Sequence, residues 1–569
     1  MKRSRNKIII NNSITGVVIL ALLMFCIVLR DRYGFNVRDE AYYLAMPDRI
    51  WKGDWFIQDE WHPTQLFFLL ITPIYSLFRM LSSDGTYGYL FLRWSADVVS
   101  LFVSIFLLVR HKKENYYAAL GAAVIVLLYS RGNLRGFKYY DAYVLLLVLS
   151  ILVYEIAELK RSRWLFVLCG IMLVLVSVCM PYFGIALGLG YVIFGALYCV
   201  STELRARAFS QNVLYVFLGM LFCGVTLIVY FLIQSKDIPR LIRNIPFLLQ
   251  DEGHSAGPLY YLFNILKDVV HVISLPGAIL IIMSCLWTLL MRKGASTFRV
   301  VCFIAFVWRI AVRYKETNQI YIIFVAYLFP WVLESVIKSK DTSFQKVRGI
   351  RFIIIGMIAS ICFSAASDAA AQSFSTGMVL AAVGTIYVLS SEKMNAVQKA
   401  VLACTTLTLI VIAFGQRLAI ITMDTPVKHA TCKIQDGALK GLYVTEDAAD
   451  EYADVTQLLR SLEQQNAGER VYISGWLMWA YCNSSLRCGS SGVWSGPVCP
   501  TSKLDEYYDV NPQNVPSIII LEKYESDEGE YGDLLNYEYR VGPTLLDLFS
   551  QKGYSIQESE YAVAYVLNE

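Results

Sequence analysis

At 569 residues the chain has room for several domains, yet 56% of it is apolar, 17% is charged and its mean hydropathy is +0.49. A soluble protein of this size needs a charged shell that such a composition does not supply, so a soluble globular enzyme is excluded. The net charge of +4 hides a division: residues 425–569 carry 10 Lys+Arg against 22 Asp+Glu, and the remainder carries 40 against 24. The body reads as a basic membrane module and the tail as an acidic soluble one, its acidity serving solubility.

The chain opens with KRSRNK and an apolar run from Ile8 to Leu29. That run is too long for a signal-peptide core and no small-residue cleavage site follows, so it reads as a retained first span. Apolar blocks of about twenty residues, the length needed to cross roughly 30 Å of hydrocarbon, then recur. They predict thirteen transmembrane helices at 8–29, 86–109, 115–131, 140–158, 163–180, 182–200, 211–233, 269–291, 298–314, 318–337, 350–370, 375–390 and 399–421. Cations gather in every second loop (Arg110 to Lys113, Lys160 to Arg163, Arg205 and Arg207, Arg292 to Arg299, Lys338 to Arg351, Lys393 to Lys399), which places those loops and the N-terminus in the cytoplasm. Thirteen spans from an inside start put the tail outside. The expectation is a multi-pass plasma-membrane protein with a module at 1–424 and an extracytoplasmic α/β domain at 425–569.

Two long outside loops remain, at 30–85 and 234–268. In the first, Leu66 to Leu81 is apolar but contains Pro73 and ends near Arg79, and counting it as a span would invert every later loop. It reads as an interfacial helix. The short outside loop RGNLRGFK breaks the charge bias with Arg131, Arg135 and Lys138. Either the topology is miscounted here or the loop is a solvated turn, or it binds an anionic headgroup or phosphate, since a cation on the disfavoured side tends to have a partner.

In the tail, β-rich runs (Val471 to Ser474, Ser517 to Leu521, Ala562 to Leu567) alternate with helical ones (Glu446 to Gln465, Pro543 to Gln551), which predicts α/β structure. Nine of the thirteen cysteines fall in spans and read as small apolar residues. The other four, Cys432, Cys482, Cys488 and Cys499, lie in the tail, and an even number in an exported domain suggests one or two disulfides.

The first outside loop carries the chemistry. Asp39 and Glu40 lie about ten residues beyond the first span, with Asp59, Glu60 and His62 following among Tyr42, Tyr43, Trp51, Trp55 and Trp61. Any one exposed acid is usually just solvated. A carboxylate pair beside aromatics has a use: one carboxylate takes a proton from an acceptor hydroxyl while a neighbour orients it, and aromatic faces pack on sugars.

In this order of elements the loop resembles the first extracytoplasmic loop of GT-C class membrane glycosyltransferases, nearest the protein O-mannosyltransferases and the bacterial aminoarabinose and related lipid-linked sugar transferases. Asp39-Glu40, Gly53-Asp54-Trp55, and Glu60 with His62-Pro63-Thr64-Gln65-Leu66 stand where that family has its acid pair, its "GDW" element and a Lys-Pro-Pro-Leu segment. Arg93, Tyr140-Asp141-Ala142, His254 and Arg313-Tyr314-Lys315 are similar to later family elements, over about residues 1–340. The resemblance implies transfer of a sugar from an undecaprenyl-type polyprenyl phosphate to a hydroxyl of an extracytoplasmic glycan, lipid or protein, by inverting single displacement. Asp39 and Glu40 are then catalytic. Arg93, Arg131, Arg135, Lys138, Arg313 and Lys315 are candidates for the lipid phosphate, Asp141, His62, Trp55 and Tyr42 for substrate, and Glu60 with His254 for a divalent metal. No nucleic acid partner is expected. The bland readings stand beside these: Asp141 as a helix cap, Arg93, Arg309 and Lys315 as cations snorkelling to the surface, His254 as a solvated loop residue. A flippase for lipid-linked sugars and a non-catalytic assembly subunit are the rival functions.

Overall fold

In hydrocarbon only a helix satisfies every backbone N–H and C=O within its own segment, so long apolar blocks become helices. The computed structural model of the chain describes all residues except 1, 38, 132–135, 201–208, 236, 249–257, 292–295, 314–318, 339–342, 367–369, 421–425, 496–501, 524–533 and 569. It is a polytopic helical membrane protein with a small sheet region near the C-terminus. The first helices are α1 (Lys2–Arg30), α2 (Asp39–Trp51), α3 (Phe68–Leu81), α4 (Gly88–His111), α5 (Tyr116–Leu128), α6 (Tyr139–Lys160), α7 (Arg163–Cys179) and α8 (Pro181–Val200). Every one of the thirteen predicted segments overlaps a helix, although 269–291 is divided between two. Eight of these are long and apolar enough to cross a membrane unaided, among them α4, α6 and the C-terminal half of α1. The helices α5 and α7 are shorter and apolar.

One further pair of helices meets at a sharp bend. Phe263–Ile273 and Leu275–Met291 meet at 94°, and Ser274 between them has a left-handed φ of 67°. A break inside a membrane protein frees carbonyls that need donors. Here Arg309 Nε donates to the Val272 carbonyl (2.6 Å), its Nη2 to that of His271, and Tyr327 Oη to that of Ile273 (2.9 Å). Elsewhere helices touch backbone to backbone. On Phe344–Ser364 and Ala370–Ser390, Gly349 faces Gly384 and Gly356 faces Gly377 so closely that a Cβ on any of them would run into the opposite main chain. Small residues permit such approach where water supplies no driving force.

In the tail, β1 (Cys432–Lys433) pairs antiparallel with β2 (Tyr443–Val444); in a second sheet β3 (Arg470–Ser474) lies parallel to both β4 (Arg487–Cys488) and β5 (Ile518–Glu522), while β7 (Ala562–Leu567) runs antiparallel to β5 and to β6 (Tyr554–Glu558). The strand order is β4-β3-β5-β7-β6, with helices Glu446–Gln465, Ser502–Val510 and Pro543–Lys552 alongside. Three strands and two helices thus form where the alternating pattern predicted them. The cysteine expectation fares differently. Cys432, Cys482 and Cys488 are free thiols, and Cys499 lies outside the described residues. The six-residue interval between Cys482 and Cys488 does not bring their sulfurs together. Cys482 sits on a 3-10 turn packed toward Asp48 and Lys52, whereas Cys488 is on β4 with its Sγ 3.3 Å from Ser490 Oγ.

The tail is docked on the first loop through main-chain hydrogen bonds: Gly34 N–H to Tyr443 O and Tyr443 N–H to Arg32 O (both 2.7 Å), and Trp61 N–H to Ser491 O (2.6 Å). The predicted interfacial segment is helical over Gln65–Leu81. It is held by Tyr75 Oη donating to Asp48 (2.8 Å) and by an Arg79–Asp48 ion pair, with Leu77, Met80 and Leu81 exposed.

Candidate functional site

Helix α2 begins at the acid pair because Asn36 caps it: the Asp39 N–H donates to Asn36 Oδ1 (3.1 Å). Successive residues on a helix point about 100° apart, so the two acids part company. Glu40 turns inward, where Arg93 from α4 grips it (Nη2–Oε2 2.8 Å, Nε–Oε1 3.3 Å). The Arg93 guanidinium also donates to the Gly34 carbonyl (2.8 Å) and the Asp31 carbonyl, and it stacks on Tyr89. Glu40 is thereby charge-balanced and braced. Arg93, expected to face a phosphate, is instead engaged by Glu40 and two carbonyls and is absent from the cavity wall described next.

Asp39 turns the other way, onto the face shared with Tyr42 and Tyr43 at i+3 and i+4. These three line a cavity of about 280 Å³ with His62, Pro63 and Thr64 of the first loop, Arg131, Tyr139 and Tyr140 at the entry to α6, Met180 to Tyr182 at the α7–α8 junction, and Trp494 from the tail. The Asp39 carboxylate is half-buried and, among the described residues, has neither a hydrogen bond nor an ion pair. Its two tyrosine neighbours divide the lining. Tyr43 packs on Tyr139 and Tyr140 (centroids 6.2 and 6.4 Å apart), and Arg131 lies over Tyr140 (4.9 Å) with its Nη2 donating to Ser373 Oγ (3.1 Å). Tyr42 packs on His62 (4.4 Å) and Trp494 (5.7 Å), and His62 stacks nearly parallel on Trp494 (5.9 Å, 15°). Thr64 fixes this second wall: its hydroxyl meets Tyr42 Oη (3.1 Å) and His62 Nδ1 (2.9 Å).

The remaining expected residues scatter. Lys138 is buried beside Arg131, its ammonium 5.4 Å from the Tyr140 ring; burial pulls its pKa down while Glu40, Asp141 and Asp39 oppose. Asp141 accepts the Arg131 backbone N–H (3.3 Å), so it caps the turn that presents Arg131. Trp55 lies apart from the cavity, near Phe56, Gln58 and Tyr230. Arg313 pairs with His271 beside the bent helix pair. Arg135, Lys315 and His254 lie outside the described residues.

Glu60 does not fit a metal site. Its carboxylate is fully buried, ion-paired with Arg49 (2.8 Å), and accepts the N–H groups of His62 (3.2 Å) and Val493 (3.4 Å). Burial pushes the carboxyl up to about 7 against the pull of Arg49. No group of three or more His, Cys, Asp or Glu side chains that could hold a metal occurs among the described residues. The "GDW" element is likewise a joint: burial pushes the Asp54 carboxyl up, but Arg49, Arg470 and Arg487 together hold it below the usual range.

Sequence reasoning missed Thr64, Tyr139 and Trp494. Tyrosines at a span entry are common at any interface, so Tyr139 and Tyr140 gave no distinct signal. Trp494 reaches the cavity only through the docking of the tail, about 450 residues downstream of Asp39. Below the cavity, α6 and α8 continue along a larger apolar one of about 480 Å³, lined by Leu147, Ile151, Phe183, Leu187 and Tyr191 and ending at Arg351. No protein-family model matches this chain, and no curated protein is significantly similar to it.

Proposed function

We propose that this chain is a GT-C-like membrane glycosyltransferase with thirteen spans and its cavity and tail on the outer face of the plasma membrane. It takes its sugar from a polyprenyl phosphate of the undecaprenyl type and gives it to a hydroxyl of an extracytoplasmic acceptor. One observation carries this reading: the Asp39 carboxylate, with no hydrogen bond or ion pair among the described residues, stands between an aromatic wall that holds Arg131 and an aromatic wall with no cation among the described residues. A general base needs a free carboxylate within reach of the proton it takes. Asp39 removes the acceptor hydroxyl proton, the acceptor oxygen bonds to the anomeric carbon, and the bond from that carbon to the phosphate oxygen breaks. Its electron pair leaves with the lipid phosphate, whose charge Arg131 on the cavity wall balances. Lys138 and Arg135, from the cation-rich loop, and Lys315, by the family resemblance, are further candidates for that phosphate. Glu40 and Arg93 hold the helix start that presents Asp39. The apolar cavity along α6 and α8 suits a prenyl chain. No step is assigned to a metal, since Glu60 is already satisfied by Arg49 and two N–H groups.

The bent pair at Ser274 favours a second reading, a flippase for lipid-linked sugars, because transporters build sites at broken helices. Against it, Arg309 and Tyr327 already occupy the three carbonyls at that break. Transfer from a synthetic polyprenyl-phosphate sugar by the purified protein separates the readings. Wild type should transfer, and Asp39→Asn should lose about 10²–10⁴-fold in rate with its melting temperature unchanged. Retention of a tenth of wild-type turnover by the Asp39→Asn variant would exclude Asp39 as the base.

A further inference from the structure

We infer that Trp494 is the stacking platform for a pyranose ring of the acceptor, so that the tail supplies part of the substrate site and the acceptor is a carbohydrate. The inference rests on the proposed function for the word acceptor, but the binding it claims does not depend on transfer.

Three observations meet at this residue. First, Trp494 belongs to the tail yet lines the same cavity as Asp39. Second, it does so on the wall that has no cation among the described residues, among Tyr42, His62 and Thr64, while Arg131 and Tyr140 form the other wall. Asp39 lies between them, on the helix face that carries both Tyr42 and Tyr43. A lipid phosphate belongs with Arg131, which leaves the Trp494 wall for the molecule whose hydroxyl Asp39 deprotonates. Third, the indole N–H of Trp494 is buried and has no acceptor among the described residues. A buried donor left unmade is costly, and a sugar hydroxyl or ring oxygen would satisfy it.

The chemistry selects a sugar over a lipid or a peptide. One face of a pyranose presents C–H bonds of slight positive charge, which complement the negative face of an aromatic ring. The ring's hydroxyls need polar neighbours at its edge, and the Thr64 hydroxyl, Tyr42 Oη and the His62 ring surround this platform. An acyl chain would leave the indole N–H without an acceptor.

The test uses the full-length protein in detergent with a panel of methyl pyranosides and their disaccharides as probes, read by titration calorimetry. At least one should bind wild type. Trp494→Ala should weaken that binding tenfold or more, and Trp494→Phe, which keeps an aromatic face but loses the indole N–H, should weaken it by less than the Ala variant does. Melting temperatures within a few degrees of wild type show that each variant is folded; an unfolded Ala variant is replaced by Trp494→Leu. In transfer assays the same substitution should raise KM for the saccharide acceptor and leave KM for the lipid donor unchanged. Absence of pyranoside binding to wild type, or equal binding to the aromatic-free variant, overturns the inference. A rise in donor KM alone would assign the platform to the transferred sugar and overturn it too. Pyranoside binding that needs Trp494, in a protein that transfers nothing, would sink the glycosyltransferase reading and leave a Trp494-dependent sugar site standing.

Discussion

Helices α4 and α6 each carry buried charge at both ends, and the two ends are built on opposite plans. Near their starts lie Arg93 and Lys138, with Asp39 and Glu40 adjacent. Near their finishes, roughly 20–27 Å away at 1.5 Å per residue, lie His111 and Glu155. At the finish the cluster around Glu155 is matched. Glu155 takes His111 Nε2 (2.9 Å) and Arg348 Nε (2.8 Å), Arg348 turns its fork to Glu114 (2.6 and 3.1 Å), and His111 Nδ1 meets Tyr387 Oη (2.8 Å). Helices α4 and α6 are thereby clasped to Phe344–Ser364 and Ala370–Ser390. At the start, Glu40 is matched, while the Asp39 carboxylate has no hydrogen bond or ion pair among the described residues. Saturation suits a scaffold, and a carboxylate left open suits the proposed chemistry.

Substitutions sharpen this contrast. Asp39→Asn should give the largest effect, a two-to-four-decade loss of transfer without loss of stability, because among the described residues no hydrogen bond or ion pair holds the carboxylate. Arg348→Ala should do the reverse. It strands Glu155 in the interior, and breaking a buried pair costs about 3–5 kcal/mol, so the melting temperature in detergent should fall sharply while surviving folded protein keeps its specific activity. Equal losses of both properties in both variants would erase the distinction. Arg131→Ala comes next, with KM for the lipid donor raised roughly tenfold, as expected for one charge-assisted hydrogen bond, and acceptor KM unchanged.

The smallest effect concerns pH. Glu60 holds its proton up to about 7 in the fold, whereas an ordinary glutamate releases it near 4.5. Between these values the folded protein binds more protons than the unfolded chain, so Glu60 makes stability fall as pH rises through that window. Glu60→Gln should flatten the slope, by on the order of 1 kcal/mol between about pH 5 and 7. An unchanged slope would show that Glu60 is ionised throughout.

The helices were legible in the sequence because hydrophobic length alone decides them, and the tail strands because Val471 to Ser474 and Ser517 to Leu521 are short β-branched runs between turn signals. Asp39 was legible as one of a pair, but the division of labour was not. Which acid meets Arg93 depends on the step of about 100° between neighbours and on where Asn36 starts the helix. Cations were hardest to place. Arg93 and Arg313 look alike beside a span end, yet one grips Glu40 and the other His271. Asp54 and Glu60 read as loop acids, and their arginine partners, Arg470 and Arg487 among them, come from sequence too distant for spacing to reveal. For the same reason a tail deletion is an unclean test of acceptor binding: it strips partners from Asp54 and the N–H of Val493 from Glu60.

That joint also sets a clock. Asp54 and Arg470 are 416 residues apart, and at the usual rate of about 5–20 residues per second of synthesis the loop waits about 20–80 s for the segment that completes it. During that interval Asp54 has only Arg49, and the future cavity lacks one of its walls. Nascent chains stalled before residue 470 should therefore present a first loop open to proteases from outside the membrane, and the loop should close to them once the last strands are made. The catalytic acid would be the first part of the site to leave the ribosome, and the site itself among the last things the chain assembles.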